Sequence, residues 1–237
     1  MPLEDFIATL LAVVLGSVVQ TLTGVGGGFL VVPVIALIDM SLLPGPMVMA
    51  SMVLSGIMMV RERHHIDYRN VPVILLGIVP GAMLGALILS RVSLDHLGLV
   101  FGIVVLIAVV LTALSLHVPL NRQTGFIAGM TAGAMGSSTG IGAPVLAVLY
   151  QHATGPQIRG TLALLYTAAS SLILIVLASY GQFGVAEVRS AIWLMPGFII
   201  GYFASQHLTA RLDGGTIRWA VLVVSAAAAL VLIVRSL

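Results

Sequence analysis

Two stretches of this chain could do chemistry with backbone alone. The first reads Thr21-Leu22-Thr23-Gly24-Val25-Gly26-Gly27-Gly28 and runs into the apolar segment 29–38. The second reads Gly136-Ser137-Ser138-Thr139-Gly140-Ile141-Gly142-Ala143-Pro144 and runs into 145–150. Glycine at this density disfavours a continuous helix and favours unwound backbone. A short helix that restarts after such a break presents unpaired N–H groups and about half a positive charge at its N-terminus. Two such ends converging from opposite sides make a site for an anion. Pro144 suits the first turn of the second short helix, because proline brings no N–H that would go unpaired. Gln20, Thr21, Thr23, Ser137, Ser138 and Thr139 add donors without a fixed charge. A neutral, donor-rich site can hold an oxyanion and still release it, whereas a buried Arg desolvates at greater cost. The candidate binding residues are therefore Gln20, Thr23, Gly24, Gly26, Gly27, Gly28 and Phe29 at the first break, and Ser138, Thr139, Gly140, Gly142 and Ala143 at the second.

The composition says what must position them. Of 237 residues, 59% are hydrophobic and 8% charged, against about a quarter charged in a soluble domain. So few charges cannot cover a water-exposed surface, which excludes a soluble enzyme, a nucleic-acid binder and a disordered chain. All ten basic residues are Arg, and there is no Cys. The apolar runs are continuous rather than alternating, which excludes a membrane β-barrel. The first residues are acidic and carry no basic flank, so they read as a first membrane segment and not as a signal peptide. A bilayer core takes about 20 apolar residues per helix. Long runs occur at 70–89, 97–116, 161–178, 190–208 and 216–234, and shorter ones at 6–22 and 46–60.

The two breaks are related by an offset of 116 residues (139 − 23). That shift lays Thr23-Gly24 on Thr139-Gly140, Gly26 on Gly142 and Leu30 on Leu146. It also lays Pro80-Gly81 on Pro196-Gly197 and Gly85 on Gly201, with no gap. The chain reads as two repeats, 1–117 and 118–237, in one bundle. If each break turns the chain back, each repeat has an odd number of apolar segments and the second is inverted. With the N-terminus outside, Arg61, Arg63, Arg69, Arg122, Arg159, Arg211 and Arg218 then face the cytoplasm and Arg91, Arg189 and Arg235 face outward. Treating the breaks as kinks splits the ten Arg only six to four, so the excess of Arg on the inner side favours inversion. The expected fold is an all-α polytopic membrane protein of two inverted repeats, each with one glycine-broken, re-entrant helix pair. About eight full spans and two short half-helices make it up.

Other features have plainer readings. Gly77, Gly81 and Gly85, echoed by Gly197 and Gly201, are expected to be helix-contact faces, with Pro80 and Pro196 kinking those helices. A dinucleotide fingerprint needs glycine at its sixth position, where counting from Gly24 gives Phe29. The six His form no metal set, and the loop 61–69 is expected to be solvated. No charge falls in the middle of a span, so neither a proton relay nor a salt-bridge gate is expected. No nucleophile–base pair and no cofactor motif is visible, so the chain is not expected to be an enzyme.

The segment Thr23-Gly24-Val25-Gly26-Gly27-Gly28-Phe29-Leu30-Val31-Val32-Pro33, with its second copy Thr139-Gly140-Ile141-Gly142-Ala143-Pro144, resembles the sulfite exporter TauE/SafE family, also called the toluene sulfonate uptake permease family. The likeness extends over nearly the whole chain, in length and in two-repeat plan. The second copy carries Ala143 where the family usually has glycine. Arg159 matches a basic position often seen in the family and joins the candidate binding residues. The resemblance implies a multi-pass secondary carrier of the inner membrane. Its implied substrates are small sulfur-containing anions such as sulfite, sulfoacetate or other organosulfonates. A passive anion channel and a non-transporting membrane subunit of a larger complex are the alternatives. The expected partners are the small anion and the lipid bilayer, with no nucleic acid; assembly as a homodimer is left open.

Overall fold

The computed structural model describes residues 3–25, 27–114, 118–208 and 214–236, with side chains described except at 94, 95, 207, 208 and 214–218. Gly26, His117 and Arg211 therefore lie outside the described residues, as do the side chains of His207 and Arg218. Among the described residues the chain is mostly helical and has no strand. The helices are α1 (Leu3–Thr23), α2 (Gly27–Ile38), α3 (Gly45–Arg61), α4 (Val71–Arg91), α5 (Leu94–Leu114), α6 (Arg122–Thr139), α7 (Ala143–Tyr150), α8 (Gly155–Ser179), α9 (Val185–Leu208) and α10 (Gly214–Arg235). Two 3-10 turns, Met40–Leu42 and Arg63–His65, precede α3 and α4.

Five of these helices, α1, α4, α5, α8 and α9, are long and apolar enough to cross a membrane. Their outward faces carry exposed Leu76, Leu84, Ile107, Ile175, Trp193 and Phe203. Such a surface suits lipid, which asks nothing of a side chain except that it be apolar. Alpha-helical backbone satisfies its own N–H and C=O groups, and so survives where no water can.

Close packing holds the bundle together, because lipid removes the hydrophobic drive between helices. A Cβ at Gly77, Gly81 or Gly85 of α4 would overlap the carbonyl oxygens of Phe126, Met130 and Ala134 in α6. A Cβ at Gly129 or Gly133 of α6 would overlap those of Ile74 and Ile78 in α4. The expected contact role of the α4 glycines is thus what the structure has. Ile74 faces Gly129 and Ile78 faces Gly133, so α4 and α6 run in the same direction. Leu10 and Val13 face Gly197 while Val14 and Ser17 face Gly201, so α1 and α9 also run in parallel. Helices α3 and α8 are antiparallel: Gly45 meets Phe183, and Glu62 meets Gly160.

The ends of α4 and α9 can be placed against α8. The Asp67 N–H, just before α4, donates to Thr161 Oγ1 at 2.9 Å. Gln182, just after α8, donates from Nε2 to the Ala86 carbonyl at 3.3 Å. α4 therefore runs alongside α8, whereas α9 leaves the turn after α8 and returns to bring Tyr202 beneath Arg61. α4 and α9 run in opposite directions. The packing between helices also comes in matched sets: α1 on α9 and α6 on α4, α3 on α9 and α8 on α4, α2 on α10 and α7 on α5.

Both breaks turn the chain back. A Cβ at Gly16 would overlap Val31 Cγ2 and lie 2.9 Å from the Gly27 carbonyl oxygen, so α2 folds back along α1. A Cβ at Gly142 would lie 2.6 Å from the Ala132 carbonyl oxygen, so α7 folds back along α6. A kinked continuous helix would hold Gly16 and Val31 about 22 Å apart. The unwound stretches are shorter than expected, because Gly27 and Gly28 open α2 and Ala143 opens α7.

Candidate functional site

Each break is built the same way. Thr23 Oγ1 donates to the Val19 carbonyl at 2.8 Å and accepts from the Val25 N–H at 3.1 Å; it also contacts the Val25 carbonyl oxygen. Thr139 Oγ1 donates to the Met135 carbonyl at 2.8 Å and accepts from the Ile141 N–H at 3.3 Å. The next residue is a left-handed glycine in both, Gly24 at φ 80° and Gly140 at φ 86°. Threonine ends the helix by offering its hydroxyl to backbone, and glycine takes a turn that a Cβ would oppose.

The two breaks meet. A Cβ at Gly28 would lie 3.8 Å from Ile141 Cγ1 and 3.9 Å from the Gly140 carbonyl oxygen. Between them is a cavity of about 70 Å³. Gln20, Gly28, Gly140, Gly142 and Ala143 line it, together with Ser51 and Ser55 of α3 and Tyr166 and Ser170 of α8. No charged side chain lines it among the described residues. The first turn of α7 enters it without a side-chain cap at Gly142, and Pro144 stands in that turn as expected. Ser51 and Ser55 donate to the Val48 and Ser51 carbonyls at 3.0 and 3.2 Å. A hydroxyl proton can turn from such a carbonyl toward a guest.

The remaining expected residues lie elsewhere. Thr23, Thr139 and Ser138 put their hydroxyls on backbone carbonyls, Ser138 on Ala134 at 2.7 Å. Gly24 packs against Arg159. Gly27 faces α1, where a Cβ would lie 2.5 Å from Gln20 Oε1 and 2.7 Å from the Gly16 carbonyl oxygen. Phe29 is fully buried in the apolar core beside α2. Gly26 is outside the described residues.

Arg159 is one of several groups around Glu62. Arg159 Nε donates to Glu62 Oε1 at 3.1 Å, and Arg61 Nη2 reaches the same oxygen at 3.1 Å. His65 Nδ1 stands 3.5 Å from Glu62 Oε2. Glu62 is only 7% exposed. Burial alone would push its carboxyl up, but the hydrogen bond and charge of Arg159, then those of Arg61, bring it below its ordinary range. The loop 61–69 is expected to be solvated. That holds for exposed Arg63 and His64, but Glu62 departs from it. A charge at the end of an apolar run is free to fold inward when another element supplies its partner, and α8 supplies Arg159 from 97 residues away.

Sequence reasoning missed Ser51, Ser55, Tyr166, Ser170 and Glu62. The 116-residue offset held a signal for two of them, since it lays Ser51 on Thr167 and Ser55 on Ser171 (51 + 116 and 55 + 116). Nothing in the sequence pointed to Tyr166.

A family profile described as Sulfite exporter TauE/SafE matches residues 9–232. The chain belongs to that family. It is thus a membrane transporter and not an enzyme. Among curated TauE/SafE relatives, the chain is similar to a probable sulfite/organosulfonate exporter TauE of Cupriavidus necator. The two are 26% identical over 215 residues, which cover 86% of this chain and 84% of the relative. No solved structure matches.

Proposed function

We propose that the chain is a secondary transporter that carries small sulfur-containing anions, sulfite first among them, across the inner membrane. Residues 1–117 and 118–237 act as two inverted repeats, with the N-terminus outside, and alternate access to a central site. The opposite directions of α4 and α9 and the matched helix packing support the inverted reading. The family description and the relative's name support a sulfur anion and export as the direction.

The observation that carries the proposal is the meeting of Gly28 with Gly140–Ala143 around a neutral cavity. Two helix N-termini there offer N–H groups and positive dipole ends to one guest. Gln20, Ser51, Ser55 and Ser170 add hydrogen bonds. Thr23 and Thr139 hold the turns, and so position the donors rather than supply them. A cavity of about 70 Å³ has room for about two waters at liquid density. That suits sulfite, one sulfur with three oxygens, and requires the site to widen for an aryl sulfonate.

The test is sulfite flux into proteoliposomes containing the wild type or Gly28→Ala. The added methyl meets only ordinary contacts at 3.8 and 3.9 Å, so the fold should survive while the cavity shrinks. A tenfold loss of flux with unchanged melting temperature is expected. Unchanged flux contradicts the site. Saturable flux marks a carrier, and large single-channel currents mark a pore.

A further inference from the structure

The Glu62 cluster lies in line with the central cavity. Ser55 of α3, which lines the cavity, is seven residues before Glu62, the residue that ends that helix, and Tyr166, which also lines it, is seven residues after Arg159 on α8. Seven residues are two helical turns, about 10 Å, and return to the same face. The Glu62–Arg159 bond therefore closes the antiparallel α3–α8 seam about 10 Å from the cavity. On the side of Arg61 is a second cavity of about 300 Å³, lined by Thr21, Leu22, Arg61, Ser205 and Gln206. Arg159 also packs on the first break, where a Cβ at Gly24 would lie 3.2 Å from its Cγ. The ion pair thus shares Arg61 with a polar vestibule and lies about two helical turns from the cavity where the breaks meet.

The chemistry of the cluster is that of an occupied anion site. One carboxylate oxygen accepts from Arg61 Nε at 3.3 Å, Arg61 Nη2 at 3.1 Å and Arg159 Nε at 3.1 Å. Guanidinium groups bind carboxylate and other planar or pyramidal oxyanions through the same forked N–H donors. A buried pair of this kind adds little net stability, while leaving one partner uncompensated is costly.

We infer that Arg61 and Arg159 form a second, vestibular oxyanion site, and that Glu62 is its internal occupant, giving up Arg159 when a small oxyanion arrives. This rests on the anion-transport reading above. The substrate displaces the carboxylate from Arg159 and opens the α3–α8 seam toward the cavity. Glu62 keeps Arg61 and His65 and so is not left uncompensated. The competition between Glu62 and substrate keeps the site from holding the anion too tightly.

The test is equilibrium binding of radiolabelled sulfite to the detergent-purified chain, with the inner cavity blocked by Gly28→Val. Against that background, Glu62→Gln should tighten sulfite at least tenfold, and adding Arg159→Gln should remove the gain. Glu62→Asp, which withdraws the carboxylate by one methylene, should give the same direction with about a threefold gain. It serves in place of Glu62→Gln if that variant does not fold. No gain from either change, or a gain that survives Arg159→Gln, overturns the vestibular site. The central cavity is judged separately, by Gly28→Val against the parent, so the two readings fail on different comparisons.

Discussion

Thr23 and Thr139 stand 116 residues apart in sequence (139 − 23) and do the same thing. Each donates its hydroxyl to the carbonyl four residues back, accepts from the N–H two residues on, and is followed by a left-handed glycine. The most recognisable polar residues of the motif are therefore spent on the turn. Thr23→Val and Thr139→Val should each cost about 1 kcal/mol of stability. The dissociation constant for sulfite, measured on the folded fraction, should change less than the stability does. A large loss of affinity with no change in melting temperature would make these hydroxyls direct ligands instead.

Gly24 and Gly140 should resist replacement for a different reason. Alanine in the left-handed region costs about 1–2 kcal/mol, and at Gly24 its methyl would also press on Arg159 Cγ at 3.2 Å. Thermal unfolding in detergent should show Gly24→Ala less stable than Gly140→Ala, whose nearest neighbour would be 3.8 Å away.

The α4–α6 seam gives a sharper contrast. Gly81→Ala would drive a methyl into the Met130 carbonyl, and overpacking of this kind costs about 1–3 kcal/mol. Gly56 in α3 has nothing within 4 Å of a Cβ, and Gly56→Ala should stabilise by about 0.5–1 kcal/mol. Melting temperatures moving in opposite directions for these two variants would bear out the packing. Gly27→Val and Gly85→Ala are poor tools for the transport site, because both would clash with neighbouring helix backbone.

Glu62 predicts a pH dependence. Its carboxyl is held below the ordinary range near pH 4 by Arg159 and Arg61, against the opposing effect of burial. A lowered folded-state pKa favours the folded protein when the group is ionised. The contribution is complete above the unfolded pKa and is lost as pH falls through the lower, folded one. The melting-temperature difference between wild type and Glu62→Gln should hold from pH 7 to pH 5 and collapse below about pH 4. A difference that stays constant through the acid range would show that the carboxylate is not its source.

The fold was legible where hydropathy and glycine carried it. The runs at 70–89 and 190–208 became α4 (Val71–Arg91) and α9 (Val185–Leu208), and the doubled break marked both hairpins. Helix α6 was harder to see as a span, because Gly125, Gly129, Gly133 and Gly136 dilute its hydropathy. Gly125, Gly129 and Gly133 are there so that α4 can approach, and Gly136 faces Ile173 of α8, properties of the packed helices that α6 does not show alone. The lining of the cavity was legible at Gln20, Gly28, Gly140, Gly142 and Ala143, and hidden at Ser51, Ser55 and Ser170. A serine in an apolar helix looks the same whether it faces lipid, a neighbour or a cavity. Glu62 was hidden because its partner Arg159 comes from the other half of the chain.

The central claim is that a small oxyanion sits where the two breaks meet. The most direct test is a structure determined at saturating sulfite, with wild type and Gly28→Ala compared. Density bounded by Gly28, Gly140, Ala143 and Ser51 in the wild type, and its loss in Gly28→Ala, is the result this account predicts. An empty cavity with sulfite ordered elsewhere in the membrane domain would contradict it.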